Sequence, residues 1–202
     1  MSTNQATVFI VDDDLQLRNS LDLLFRSEGF VTKSYATAVE FLEKYDPEQP
    51  GCLILDLCLD GMSGLELQAE LSKREIRIPH ILISGYAEVP KVVKALKAGA
   101  VDFLEKPCRD EQLLQSTRLA IEQDIRNRHR NRERLQIQKR FNSLSPRERE
   151  VMNLLVVGKR TKEIAEQLNI SSKTVDIHRA NVLKKSEAAN VVELLQMLHR
   201  LD

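Results

Sequence analysis

The sequence predicts two domains of different class: a doubly wound α/β domain on five parallel strands, then a small all-α domain carrying a helix-turn-helix. Three observations predict it. Short apolar runs alternate with helical patterns through the first 120 or so residues, as parallel βαβ units do. Two short helical patterns joined by a brief turn stand near the C-terminus. The formal charge of zero over 202 residues is also split. Residues 1–123 hold 13 Lys and Arg against 20 Asp and Glu, whereas residues 124–202 hold 17 against 10. An acidic half and a basic half point to two domains, with any nucleic-acid contact in the second.

Thr7–Val11 is the first buried strand, and Asp12, Asp13 and Asp14 follow it at once. Asp14 is placed to cap a helix through Leu15, Arg18, Leu21, Leu24 and Phe25, which ends at Glu28-Gly29 because glycine suits the left-handed position after a helix. Phe30–Tyr35 reads as the second strand and Thr37–Tyr45 as a helix. Asp46-Pro-Glu-Gln-Pro-Gly51 is a loop by its breakers. The third strand, Cys52 to Leu55, ends in the carboxylate of Asp56. Gly61-Met-Ser-Gly64 turns the chain into a helix from Leu65 to about Lys73. His80–Ser84 is the fourth strand, Glu88–Ala98 a helix, Val101–Leu104 the fifth strand with Glu105-Lys106-Pro107 at its end, and a last helix starts near Asp110.

In a parallel sheet the carboxyl ends of the strands share one edge, and ligands bind in the crevice there. Asp12, Asp13, Asp56, Ser84 and Lys106 all fall on that edge. Three carboxylates brought close together repel and need a cation or a shared proton. Oxygen-only ligands in an open cleft favour Mg²⁺. A lysine and a hydroxyl opposite the acids suit the oxygens of a phosphoryl group. The set reads as an aspartate that accepts a phosphoryl group with Mg²⁺ present.

Asp12-Asp13, Asp56, Ser84 and Lys106-Pro107 resemble, in order and spacing, the receiver domain of two-component response regulators, over roughly residues 6–123. The resemblance implies a flavodoxin-like fold, phosphorylation of Asp56 by a sensor histidine kinase, and Mg²⁺ held by Asp13, Asp56 and the backbone carbonyl of Cys58, with Asp12 acting partly through water. It implies that Lys106 pairs with the phosphate, that Ser84 shifts to meet it and that Phe103 turns inward behind it. The chain departs from the family at Leu59-Asp60, where Met-Pro is usual; Asp60 either weakens discrimination for Mg²⁺ or only faces water. Cys108 stands where an aromatic is common. Cys58 lies beside the acceptor, but no resolving thiol accompanies it. Haloacid-dehalogenase-type phosphatases place a second acid two residues after their nucleophile; here Asp60 is four residues on, which argues against an enzyme of that kind.

Beyond the fifth strand, Leu113, Leu114, Thr117, Ile121 and Ile125 recur at helical spacing, and Arg126 to Arg134 has no apolar residue. With no Gly or Pro between Pro107 and Pro146, the last helix is expected to run on as a linker over 124–140. Its basic run reads as a solvated face, with direct phosphate contact as the alternative. Ser145 caps the next helix, with Pro146 at its first position and Glu148 completing a capping box. Val151, Leu154 and Leu155 point inward, and Gly158 stops the helix. Thr161–Leu168 and a helix capped by Ser171, running to about Lys185, form the helix-turn-helix, with Asn169-Ile170 as the turn.

Ser145-Pro-Arg-Glu148, Lys162-Glu-Ile-Ala165 and Lys173-Thr-Val175 through His178-Arg179 resemble the LuxR-type DNA-binding module over about residues 140–200, which implies a DNA-binding domain of residues 141–202. The two halves together are similar to response regulators of the FixJ/NarL type. The resemblance implies that the helix from Ser172 enters the major groove of double-stranded promoter DNA. Lys173, Thr174, Asp176, Ile177, Arg179 and Ala180 would face the bases and Lys184 the backbone. His178, at core spacing from Val175 and Val182, reads as a packed or capping histidine in preference to a base reader. Ser186 replaces a large apolar residue, and Val191, Leu194, Leu195 and Leu198 carry either a dimer contact or core. Homodimerisation on phosphorylation and contact with RNA polymerase are further implications.

Nothing in the sequence has the length and apolarity of a membrane span or the form of a signal peptide. The three cysteines have no metal spacing, and a cytoplasmic protein is expected. A reading that stays open keeps the DNA module and treats the receiver as an interaction domain that works without phosphorylation.

Overall fold

The computed structural model describes residues 6–85 and 88–201. The chain divides after Arg128 into two compact units. The first is built as β1 (Thr7–Val11), α1 (Leu15–Ser27), β2 (Val31–Tyr35), α2 (Ala38–Lys44), β3 (Gly51–Asp56), α3 (Gly64–Lys73), β4 (His80–Ser84), α4 (Val89–Lys97), β5 (Asp102–Glu105) and the first part of α5 (Asp110–Asn142). Its sheet has the order β2-β1-β3-β4-β5, and every pair is parallel. This is the doubly wound α/β fold the alternating pattern predicts.

Burial follows from position in the sheet. β1, β3 and β4 lie inside it and are buried at every residue, as strands covered on both faces must be. β2, at an edge, buries only Thr32 and Tyr35. Because successive side chains point to opposite faces, the central strands feed two cores. Phe9, Leu53, Leu55 and Leu82 meet Phe41 of α2, Leu67 and Leu71 of α3 and Ala95 of α4. Val8, Ile10, Ile54, Ile81 and Ile83 meet Leu21 and Phe25 of α1 and Leu113, Leu114 and Ile121 of α5. The strand order reverses between β1 and β3, and a ligand crevice opens at such a point.

Two expectations on the helices change. Ile125, placed on the apolar stripe of the last helix, is 52% exposed, and the buried residue at that level is Asp124. Leu15 is also exposed, and the packed face of α1 begins at Leu17 and is fully buried at Leu21 and Phe25. As expected, α5 continues without a break to Asn142.

The second unit comprises the end of α5 with α6 (Pro146–Val156), α7 (Thr161–Leu168), α8 (Ser172–Ser186) and α9 (Val191–His199). Ser145 and Glu148 form the predicted capping box, with Pro146 in the first turn. Asn169 takes the left-handed conformation at φ 51°, open to Asn more readily than to most residues. Ile164 and Ala165 of α7 and Val175 of α8 close on Val151 and Leu155. A neighbouring core joins Ile137 and Phe141 of α5 to Met152, Val182, Leu194 and Met197. Leu194 therefore fills core, and Leu198 and Val191 pack partly against the two cores; the exposed apolar residue on α9 is Val192. Ser186, wholly buried, gives its hydroxyl to the Leu183 carbonyl at 3.2 Å, which satisfies the polar atom that a large apolar residue would not bring.

Candidate functional site

Asp12 follows β1 and Asp56 ends β3, so the two flank the point where the strand order reverses. Asp12 has no exposed surface and Asp56 very little, while Asp13 is exposed. One carboxylate oxygen from each of the three lies within 4.8 Å of the others. Lys106 comes in from the end of β5, where its amide continues the ladder by donating to the Ser84 carbonyl at 2.8 Å. Its ammonium donates to Asp12 Oδ2 and Asp56 Oδ2, each at 2.9 Å.

Local chain geometry fixes these acids. The Asp14 amide donates to Asp12 Oδ1 at 2.9 Å, while the Asp14 side chain caps α1 through Gln16 and Leu17. Arg18, one turn into α1, donates to the Asp12 carbonyl at 2.5 Å. The Cys58 amide donates to Asp56 Oδ1 at 3.3 Å. Below Asp56 the chain turns into α3, whose first residue must be small. A Cβ on Gly64 would stand 2.3 Å from the Asp56 carbonyl oxygen.

The electrostatics follow from burial opposed by pairing. Burial pushes the Asp12 carboxyl above its ordinary range, and the hydrogen bond from Lys106 pulls the other way. Burial likewise works against the Lys106 ammonium, but its hydrogen bonds to Asp56 and Asp12 outweigh that and leave its pKa raised. Three carboxylates facing one ammonium leave an excess of negative charge. An all-oxygen set with one member open to water suits a hard divalent cation that keeps part of its hydration shell.

Ser84 is buried at the end of β4, and Phe103 is half-buried on β5 against the core that contains Leu82. Asp60 is exposed and stands outside the carboxylate cluster; it faces water.

On α8, Lys173, Asp176, Ile177, Arg179, Ala180 and Lys184 are exposed, whereas Val175 and Val182 are buried. Lys173, Ile177, Ala180 and Lys184 follow one another at helical spacing along one outer face. Thr174 is half-buried, and its hydroxyl is 2.8 Å from that of the capping Ser171. His178 is half-buried, with Nδ1 shut from solvent and without a hydrogen bond among the described residues, as a packing residue would be. Asp176 accepts from the Thr161 hydroxyl at 3.4 Å.

Two contacts that the sequence did not indicate shape this second unit. Lys185 donates to the buried Glu148 at 2.7 Å, joining the end of α8 to the cap of α6. Arg147 donates to the Leu168 carbonyl at 2.5 Å, tying the start of α6 to the end of α7.

Comparison with known proteins matches the two parts of the chain to two families. The response regulator receiver domain family matches residues 8–118, and the luxR family of bacterial regulatory proteins matches residues 142–198. The chain is a two-component response regulator of the FixJ/LuxR type. Nodulation protein W of Bradyrhizobium diazoefficiens is 40% identical to the regulator over 200 residues, covering 99% of this chain and 88% of its own. FixJ of Rhizobium meliloti is 39% identical over 191 residues, 95% of this chain and 94% of its own. The solved structure of the response regulator StyR superposes on the regulator with a TM-score of 0.90 at 37% identity, covering 97% of this chain and 99% of that one. The regulator is thus a DNA-binding transcription factor by family, and among the described residues no helix is long and apolar enough to cross a membrane.

Proposed function

We propose that the regulator switches promoter binding in the cytoplasm in response to phosphorylation of Asp56 by a sensor histidine kinase. An Asp56 oxygen attacks phosphorus, the P–N bond to the kinase histidine breaks, and an acyl phosphate forms. The observation that carries this reading is the double contact of Lys106 with Asp12 and Asp56 at 2.9 Å. An ammonium already aimed at the acceptor can follow the incoming phosphate oxygens without leaving the pocket. Asp12, Asp13, Asp56 and the Cys58 carbonyl would hold Mg²⁺, which when bound neutralises charge on the oxygens in transfer.

The added charge of about −1.5 to −2 needs donors that Lys106 alone does not supply. Ser84 moves to provide one, and Phe103 follows it inward. That change favours a receiver homodimer, which brings two DNA modules to two half-sites by raising their effective concentration. Lys173, Thr174, Asp176, Ile177, Arg179 and Ala180 then face the bases, Lys184 meets the backbone, and RNA polymerase is the partner at the promoter. Incubation with Mg²⁺ and a small phosphodonor tests the reading. The intact mass should rise by one phosphoryl group, and Asp56→Asn should abolish the gain. No gain in the wild-type chain would leave the receiver as a phosphorylation-independent interaction domain.

A further inference from the structure

The matched receiver family ends at residue 118 and the matched DNA-binding family begins at 142, and between them lies a group of contacts that neither assigns. Asp124 on α5 is 2% exposed. Its Oδ2 accepts from the Gly51 amide at 2.9 Å and from Arg128 Nε at 2.6 Å. The Arg128 guanidinium then reaches the loop before β3: Nη1 donates to the Pro47 carbonyl at 2.6 Å, and Nη2 to the Gln49 carbonyl at 3.0 Å and the Tyr45 hydroxyl at 3.4 Å. Tyr45 is itself held by Phe9 and Phe41, at ring-centroid distances of 5.3 and 5.1 Å.

Each partner in the group answers a need of the other. Gly51 opens β3, where a Cβ would come within 2.0 Å of the Thr7 carbonyl, so no larger residue fits and the strand begins with a bare amide. Asp124 satisfies that amide. The buried carboxylate needs a cation, and Arg128, one helical turn on, supplies it. The planar guanidinium spreads its donors over acceptors that a point charge cannot reach together.

We infer that Asp124 and Arg128 form a strap that anchors α5 to the start of β3 and keeps the helix folded as it leaves the receiver. The segment after it reaches no core until Ile137; its own contacts are the His129–Glu133 pair and the hydrogen bond from Arg134 to the Leu201 carbonyl. Residues 129–136 are all exposed, and an isolated helix of that length is marginal in water. Without the strap the segment frays; with it, the helix is continuous into the turn that carries Ile137. The inference stands whether or not Asp56 is phosphorylated.

Arg126, Arg130, Arg132 and Arg134 make the segment a ready substrate for trypsin, so brief digestion of the full chain tests the strap. Arg128→Gln should speed cleavage at these four arginines at least fivefold over wild type, with cleavage at Arg77 and Lys97, which touch no part of the strap, unchanged as an internal control for the receiver fold. Arg128→Lys should resemble the Gln variant, because the charge without the fork does not reach Pro47, Gln49 and Tyr45 together. Should the control sites open as well, Asp124→Asn is read by the same criterion, with hydrogen exchange of residues 125–136 against that of β3 as the second measurement. Cleavage within twofold of wild type, exchange in 125–136 no faster than in wild type, or full protection retained by Arg128→Lys, would overturn the inference.

Discussion

Lys106 stands 2.9 Å from Asp12, a carboxylate with no solvent exposure at all. The pair is what allows an acid to sit at the end of a central strand, since burial alone drives its carboxyl upward. Removing the cation leaves a buried charge without compensation. Lys106→Met should destabilise the receiver by about 2–3 kcal/mol, read by urea unfolding. Adding Asp12→Asn should return part of that loss, because the unpaired carboxylate disappears with its partner. Additive losses in the double variant would contradict a coupled pair.

Arg18 acts on the same pocket from outside, through the Asp12 carbonyl it holds at 2.5 Å. A peptide unit is planar, so fixing that carbonyl also fixes the amide of Asp13 and the direction in which the exposed acid leaves the chain. Arg18→Gln should raise the Mg²⁺ concentration needed for half-saturation several-fold, measured by calorimetry on the unphosphorylated protein. The unfolding midpoint should move little, since a single partly exposed contact contributes about 0–1 kcal/mol. An unchanged Mg²⁺ titration would remove Arg18 from the set that shapes the site.

Gly64 links fold to chemistry more tightly than its place in a turn suggests. A methyl group there would meet the Asp56 carbonyl oxygen at 2.3 Å and the Leu57 Cα at 2.9 Å, both backbone atoms that cannot swing aside. Gly64→Ala should cost about 1–3 kcal/mol and slow phosphorylation from a small donor. A variant with wild-type stability and rate would show that the start of α3 yields instead.

How much of this could be read beforehand depends on whether the signal is periodic. The strands and the helices between them were legible because the central strands are continuous apolar runs and the helices have clear stripes. The pocket was legible because its residues sit at strand ends, which the topology brings to one edge. Asp124 was not. Ile125 lies one turn after Ile121 and fits an apolar stripe as well as Asp124 does. Only the bare amide of Gly51, 73 residues away, makes the acid the better choice. Arg128 was hidden in a run of arginines that reads as solvated, and the run does stay exposed on either side of it. Arg18 lay on the expected helix, but nothing in its spacing indicated a carbonyl acceptor.

Glu148 gives the second unit a pH dependence. The Lys185 ammonium, with the Ser145 amide, holds its carboxyl below the ordinary glutamate range. A carboxyl depressed on folding stabilises the protein above its unfolded pKa, about 4.3, and loses that contribution as pH falls through the folded value. Glu148→Gln should therefore lower the melting temperature of this unit at pH 7, by the equivalent of about 1–2 kcal/mol. The gap from wild type should close toward pH 3. A gap that stays constant with pH would mean that the amide loses packing and not charge.

The outer face of α8 sets the ammonium of Lys184 one turn beyond the uncharged pair Ile177 and Ala180, all three exposed. On DNA the two kinds of residue should separate cleanly, because phosphate contacts give affinity and base contacts give sequence preference. Lys184→Gln should weaken binding to all sequences alike and reduce the slope of log K against log salt by about 1. Arg130→Gln and Arg132→Gln, on the exposed linker face, should leave that slope unchanged. Ile177→Ala should keep the slope and lose discrimination at one position of the selected site, by about 1–3 kcal/mol if a thymine methyl is what it meets. Replacing that thymine with deoxyuridine should then weaken wild-type binding and leave the Ile177→Ala variant indifferent. Equal sensitivity of both proteins to the missing methyl would move the base contact elsewhere on the helix.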